Sequence, residues 1–205
     1  MGRIFYIIGK SSTGKDSVMR ALLRDRKLGL REIIQYTTRP IRDTEEEGRE
    51  YHFIDEDTYR AFEKAGRIVE MRAYNTVHGL WRYMMADDGT VDLASGNYVA
   101  VGTVESYVKV RDYFGADNVV PICLYVETGE RLRRALLRER KLAAPKYAEL
   151  CRRFLADEQD FDEAHLEAAG LLSDGKPVNG IENRQFRACV RAVKELITGV
   201  SKPSE

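Results

Sequence analysis

Apolar residues along this chain fall into two alternating kinds of run. Ile4–Ile8 is continuous and apolar, too short for a helix and suited to a strand buried on both faces. Val99–Val101 and Val119–Val126 have the same character, with Pro121 weighing against a fully central place for the last. Between them the apolar positions recur at helical spacing, over Asp16–Arg26, Thr103–Phe114 and Thr128–Lys141. A final helix is predicted over roughly Arg184–Ile197, and the tail Ser201–Glu205 is expected to fray. In Thr128–Lys141 the spacing turns Leu132, Leu136 and Leu137 inward and the charges outward. Strand-helix alternation of this kind predicts an α/β fold, a parallel sheet flanked by helices.

The middle of the chain breaks the alternation. Arg39–Gly48 is polar and turn-rich, Tyr51–Ile54 reads as a strand, and Asp55 offers an N-cap to a helix ending near Gly66. Ile68–Arg72 reads as a further strand, and the turn Asp87-Asp88-Gly89 closes the segment. This predicts a small β-rich flap, a β-α-β insertion over about 33–88. The stretch from about 131 to 160 is helical and very basic, and is expected to form a lid on a core made of about 1–32, 89–130 and 170–200.

Composition narrows the picture. The 205 residues suit one domain, and 43% hydrophobic with 32% charged residues is a globular balance. The formal net charge is zero, which argues against nucleic acid or an anionic membrane as a partner, so any anion site must be a local cluster of arginine and lysine. No apolar run approaches the roughly 18 residues of a membrane span. The start of the chain has no cleavage pattern of a secretory leader, and Tyr6 stands where a myristoylation signal needs Ser or Thr. Cys123, Cys151 and Cys189 are far apart and lack metal spacing, so buried inert thiols in a reducing compartment, the cytoplasm, are expected.

The most specific string is Gly9-Lys10-Ser11-Ser12-Thr13-Gly14-Lys15, set between a predicted strand and a predicted helix. Gly9 and Gly14 permit the backbone angles that turn the N–H groups of such a loop toward one anion. The helix N-terminus adds its positive dipole end, and Lys15 a point charge for β- and γ-phosphate oxygens. ATP is therefore the expected ligand of Gly9, Ser11, Ser12, Thr13, Gly14 and Lys15. Asp16 follows the lysine where a hydroxyl residue is usual. Mg²⁺ prefers oxygen ligands, so either the Asp16 carboxylate or the Ser17 hydroxyl is a candidate, the plainer alternative for Asp16 being a first-turn acid favoured by the helix dipole.

Next comes Tyr36-Thr37-Thr38-Arg39-Pro40-Ile41-Arg42, then Glu45, Gly48, Tyr51 and Phe53. Two arginines three apart on a turn make a fork for a phosphate, and Tyr51 can add a hydroxyl. With the phosphate loop, this string resembles the guanylate kinase family. The family pattern T-T-R-x-x-R, G-E, G-x-x-Y-x-F fits Thr37 through Phe53 with Thr44 in place of a glycine. The resemblance covers Gly2 to about Ile197 and is loose after His78. It implies a P-loop NTPase-type fold and transfer of the ATP γ-phosphoryl, with Mg²⁺, to a nucleoside monophosphate, GMP foremost.

By the same resemblance Arg39, Arg42 and Tyr51 hold the acceptor phosphate, Glu70 reads guanine, Gln35 donates to its O6, and His78 replaces a family tyrosine. Guanine presents N1–H and N2–H₂ as adjacent donors that one ionised carboxylate can accept together. The alternative for Glu70 is a solvated carboxylate at a strand end. Arg138, Arg140 and Arg153 fall where the family has lid arginines, Arg138 and Arg153 being the expected functional pair. Asn179, in Val178-Asn179, resembles the family's residue beside adenine. The family strand L-D-I-D is here Val99-Ala100-Val101-Gly102, with no acid. That loss leaves room for a different phosphorylated acceptor, or for a binding module without catalysis, against which the retained Gly9, Gly14, Lys15, Arg39 and Arg42 count.

Overall fold

The computed structural model of the chain describes residues 2–43, 45–76 and 79–200. Strand β1 (Ile4–Ile8) leads into helix α1 (Lys15–Leu23), then come β2 (Leu30–Glu32), β3 (Tyr36–Thr37), β4 (His52–Phe53) and α2 (Glu56–Lys64). A hairpin of β5 (Ile68–Thr76) and β6 (Gly79–Ala86) precedes β7 (Asn97–Gly102), α3 (Val104–Phe114) and β8 (Val119–Tyr125). Helices α4 (Thr128–Glu139), α5 (Tyr147–Asp160) and α6 (Glu163–Ala168) follow. The short strands β9 (Leu172–Ser173), β10 (Lys176–Pro177) and β11 (Gly180–Glu182) lead to α7 (Phe186–Val200).

The main sheet is parallel, in the order β11-β8-β1-β7-β2, with Ile4 registered between Tyr98 and Val119. All five residues of β1 are buried, as a strand covered on both faces requires. Phe5 and Ile7 pack with Val18 and Leu22 of α1 and Cys189, Val193 and Ile197 of α7. Ile4, Tyr6 and Ile8 pack on the other face with Val104, Tyr107 and Val110 of α3. Pro121 is tolerated in β8 because β11 pairs only from Cys123 onward, so no ladder bond on that side is lost. This is the α/β architecture, a parallel sheet flanked by helices, that the alternation of runs predicts. None of the described helices is long and apolar enough to cross a membrane.

The flap departs from the expected β-α-β unit. It is a four-stranded mixed sheet in the order β4-β3-β6-β5, with β3 parallel to β4 and the long β5–β6 hairpin antiparallel. Strand β6 escapes pattern reading because its burial does not alternate: Leu80 is exposed, whereas Met84, Met85 and Ala86 are all buried. The helix reading is correct here, with Asp55 accepting from the Thr58 N–H at the start of α2.

Helix α4 is turned over relative to its apolar spacing. Leu132, Leu136 and Leu137 are more than 40% exposed, and Arg131, Ala135 and Glu139 are buried. The partner helix explains the inversion. α5 presents Phe154, Asp157 and Glu158, and the Arg131 guanidinium lies 3.7 Å from the Phe154 ring centre while paired with both carboxylates. Cys151 is exposed, contrary to expectation, and only Cys123 and Cys189 are buried. Burial pushes those two thiols up to about 12 and about 11.

Gly102 ends β7 against the buried phenol of Tyr6. A Cβ at that position would lie 2.8 Å from Tyr6 Cζ and closer still to its hydroxyl. Gly102→Ala is expected to cost about 1–3 kcal/mol through overpacking. Gly199→Ala, with nothing within 4 Å of the added methyl, is expected to be neutral or mildly stabilising. Urea unfolding of the two variants checks this, and equal stabilities would contradict the packing described.

Candidate active site

The carboxyl ends of β1, β7, β8 and β11 converge on one crevice, the usual ligand position in an open parallel sheet. From β1 the chain turns through Gly9–Gly14 and enters α1. Gly14 has φ 94°, a left-handed angle, and a side chain there would also meet the Asn183 amide at 2.6 Å. Ser12 shares the left-handed region, and its buried Oγ has no hydrogen-bond partner. Thr13 Oγ1 donates to the Lys10 carbonyl at 2.8 Å, closing the loop on itself. Lys15 Nζ donates to the Gly9 and Lys10 carbonyls at 2.5 and 3.2 Å. Burial lowers its pKa, against the pull of Asp16 and Asp157 and with the repulsion of Arg138 and Arg131.

Asp16 and Ser17 lie exposed on the first turn of α1. No hydrogen bond engages the Asp16 carboxylate among the described residues, which suits a single oxygen ligand for a Mg²⁺ shared with phosphate. No described cluster of three His, Cys, Asp or Glu could hold an ion unaided.

The lid helices meet this loop directly. Arg138 and Arg153 line one small crevice with Ser11, Ser12 and Phe154, so the two arginines singled out from sequence stand together beside the loop. Arg140 is exposed. Sequence reading gave no special place to Arg131 and Arg134. Arg131 ties α4 to α5, and Asp157 in turn accepts from the Ser11 backbone N–H at 2.8 Å, while Glu158 pairs with Lys10 at 2.5 Å. A cavity of about 160 Å³ opens beside these groups, lined by Gly9, Lys10, Thr13, Leu124, Arg131 and Phe161.

Asn179 is not beside the loop. It stands at the start of β11, where its amide donates to the Pro121 carbonyl at 2.9 Å. Asn183, at the other end of β11, is the asparagine that meets the loop. Its Nδ2 donates to the Thr13 carbonyl at 2.7 Å, its own carbonyl accepts from Arg134, and its buried Oδ1 has no partner.

On the flap, Arg39 is 3% exposed and lies beneath the rings of Tyr51 and Phe53, 5.6 and 5.5 Å from their centres. Its fork is closed on Glu45 by two bonds of 2.8 and 2.9 Å. That pairing holds the Glu45 carboxyl below its ordinary range. Arg42 is exposed, and no side-chain hydrogen bond engages its guanidinium among the described residues. Tyr51 packs edge-on against Phe53 and Tyr83, and burial raises its pKa.

Glu70 is 2% exposed, in the body of β5, which excludes a solvated strand end. Its Oε1 accepts from Arg72 at 3.2 Å, and Arg72 also donates to Gln35 Oε1 at 3.3 Å. Gln35 thus accepts through its oxygen, while the donation expected of it would come from its amide nitrogen. Burial raises the Glu70 pKa and Arg72 opposes the rise. His78 lies outside the described residues.

A glycine-bearing loop at the end of the first strand, a basic helical pair and a separate small sheet carrying buried arginine thus make up the candidate site. Residues 1–79 match the family model described as guanylate kinase. The guanylate kinase of Cupriavidus metallidurans is 40% identical over 78 residues, 38% of this chain and 34% of that protein. The guanylate kinase of Mycoplasma pneumoniae is 42% identical over 74 residues, 36% of this chain and 31% of that protein. The match therefore spans about a third of the length of these curated relatives. In fold the likeness extends further: a guanylate kinase structure from Anaplasma phagocytophilum superposes with TM-score 0.68 at 18% identity, covering 99% of this chain and 88% of that one. The chain is thus similar in sequence to guanylate kinases over its first 79 residues and similar in fold over its length.

The two flap arginines are expected to differ in stability. Arg39→Ala leaves Glu45 without its partner in a largely buried site and is expected to cost about 3 kcal/mol. Arg42→Ala, a surface change, is expected to stay within about 0.5 kcal/mol. Denaturant midpoints check the contrast, and equal losses would contradict the assignment of Arg39 as the buried member.

Proposed function

We propose that this protein transfers the γ-phosphoryl group of ATP to a nucleoside monophosphate, with GMP as the preferred acceptor and ADP and GDP as products. The observation that carries the reading is the Gly9–Lys15 loop at the carboxyl end of β1, with Arg138 and Arg153 beside Ser11 and Ser12 and a separate four-stranded flap that bears Arg39 and Arg42. The partial sequence match to proteins named guanylate kinase supports the same reading.

The chemistry needs no protein nucleophile. An oxygen of the acceptor phosphate forms a bond to the γ-phosphorus as the bond to the β–γ bridging oxygen breaks, and ADP leaves. Positioning and cationic stabilisation carry such a transfer. Loop N–H groups and Lys15 hold the β- and γ-oxygens. Arg138 and Arg153 stand where charge on the equatorial oxygens is stabilised, and closure of α4–α5 excludes water. Asp16, with Ser17, would hold Mg²⁺, which when bound neutralises charge on the β- and γ-oxygens. Arg42 is the exposed cation for the acceptor phosphate, with Tyr51 beside it. Arg39 joins it once Glu45 releases one arm of the fork. The substrates of this reaction imply a cytoplasmic protein. A second reading, a kinase for another phosphorylated acceptor, draws on Glu70 already being bonded to Arg72.

Specificity constants with a monophosphate panel and Mg-ATP test the proposal. GMP is expected to exceed AMP by roughly 10²–10³. A preference for AMP or a pyrimidine nucleotide would favour the second reading. Lys15→Ala is expected to lose on the order of 10²–10³-fold in turnover with the fold retained by circular dichroism. Asp16→Ala is expected to raise the Mg²⁺ concentration giving half activity, without changing the acceptor KM. An unchanged Mg²⁺ dependence leaves Asp16 as a helix-start acid.

A further inference from the structure

Asp157 and Glu158 stand side by side near the end of α5, and both reach back to the loop after β1. Asp157 Oδ2 accepts from the Ser11 backbone N–H at 2.8 Å, and its Oδ1 accepts from the Ser11 hydroxyl at 3.3 Å. Glu158 Oε2 accepts from Lys10 Nζ at 2.5 Å. These bonds join residues 146 and 148 positions apart, so they tie the lid to the loop. Arg131, buried and stacked on Phe154, pairs with both carboxylates and fixes them in place. Lys15 is engaged as well, since its Nζ donates to the Gly9 and Lys10 carbonyls. Two ammonium groups, one N–H and one hydroxyl of the loop are thus satisfied by the protein itself.

A carboxylate and a phosphate offer a backbone N–H the same thing, a charged oxygen acceptor. Both cannot sit on one donor. The Asp157 side chain is only 15% exposed, and two anions that close repel strongly where water screens them poorly. We infer that Asp157, with Glu158, is a built-in competitor of the ATP phosphates, a latch that holds α5 on the loop until a polyphosphate displaces it. The contact is autoinhibitory. Only the fraction of molecules with the latch released accepts ATP, and the apparent affinity is reduced by that fraction. Displacing Glu158 also frees Lys10, so the step that removes an internal anion gives the incoming one a cation. This inference rests on the reading that the Gly9–Lys15 loop binds the phosphates of ATP, and not on the identity of the acceptor.

Calorimetric binding of Mg-ATP without acceptor, and thermal unfolding of the ligand-free protein, test it on wild type, Asp157→Asn and Asp160→Asn. Asparagine keeps the size of the side chain and removes its charge, while Arg131 keeps Glu158. Asp157→Asn is expected to bind Mg-ATP about five- to twentyfold tighter, and to melt at a lower temperature when ligand-free. A carboxylate that only shapes the loop for ATP would lose affinity and stability together. Asp160 is exposed on the same helix, and no hydrogen bond joins its side chain to the loop among the described residues. Asp160→Asn is therefore expected to leave the Kd within about twofold, as for a screened surface charge. Weaker or unchanged ATP binding by Asp157→Asn, or an equal gain in Asp160→Asn, overturns the latch while the ATP reading stands. If Asp157→Asn does not fold, Glu158→Gln at the more exposed member is expected to gain about two- to fivefold, and no gain overturns the latch. If neither wild type nor variants bind Mg-ATP, both readings fall.

Discussion

Strand β1 is paired on both edges and covered on both faces, and its five residues are at most 1% exposed. No position on it can hold a charge facing water, so the chain can meet a ligand only past its carboxyl end. The Gly9–Gly14 turn sits there, seated on α1. The neighbours of β1 run parallel to it and therefore open on the same side. β8 delivers the lid, β11 delivers Asn183, and β7 ends at Gly102 beside Tyr6. The loop, the α4–α5 pair and Asn183 follow from that one buried strand and the direction of its partners, whereas the flap is a separate sheet.

Four cations around the loop and on the flap are held by carboxylates of the protein. Asp157 and Glu158 hold Arg131 and Lys10, Glu45 holds Arg39, and Glu70 holds Arg72. Asp157 also accepts from a backbone N–H of the loop itself. Such pairs fix the geometry of long side chains that would otherwise lose conformational freedom on binding. They also set a condition on binding: an incoming phosphate must compete with a carboxylate for Arg39, whereas no carboxylate among the described residues engages the Arg42 guanidinium. The neutral net charge of the chain is consistent with this arrangement, in which positive charge is local and paired.

Much of this was legible in the residues. The apolar run Ile4–Ile8, the loop spacing and the Thr37–Phe53 string carry their own physical signals, and fold, loop and flap arginines follow from them. What escaped reading depended on contacts distant in sequence. The apolar spacing of α4 pointed its leucines inward, but an arginine stacked on Phe154 and paired with two acids of α5 turned the helix over. β6 does not alternate because it is covered unevenly, so the hairpin was invisible. Asn179 and Asn183 differ only in which end of a three-residue strand they occupy, a distinction that needs the register of β11 on β8.

Phosphorus NMR of the protein with Mg-ATP and GMP tests the central claim most directly, because it follows the transferred group itself. The account predicts that the γ-phosphate signal of ATP declines as the β-phosphate signal of GDP grows in equal amount, with ADP formed in step and little inorganic phosphate. ATP loss that yields inorganic phosphate alone, or no change in the ATP signals with GMP present, would contradict it.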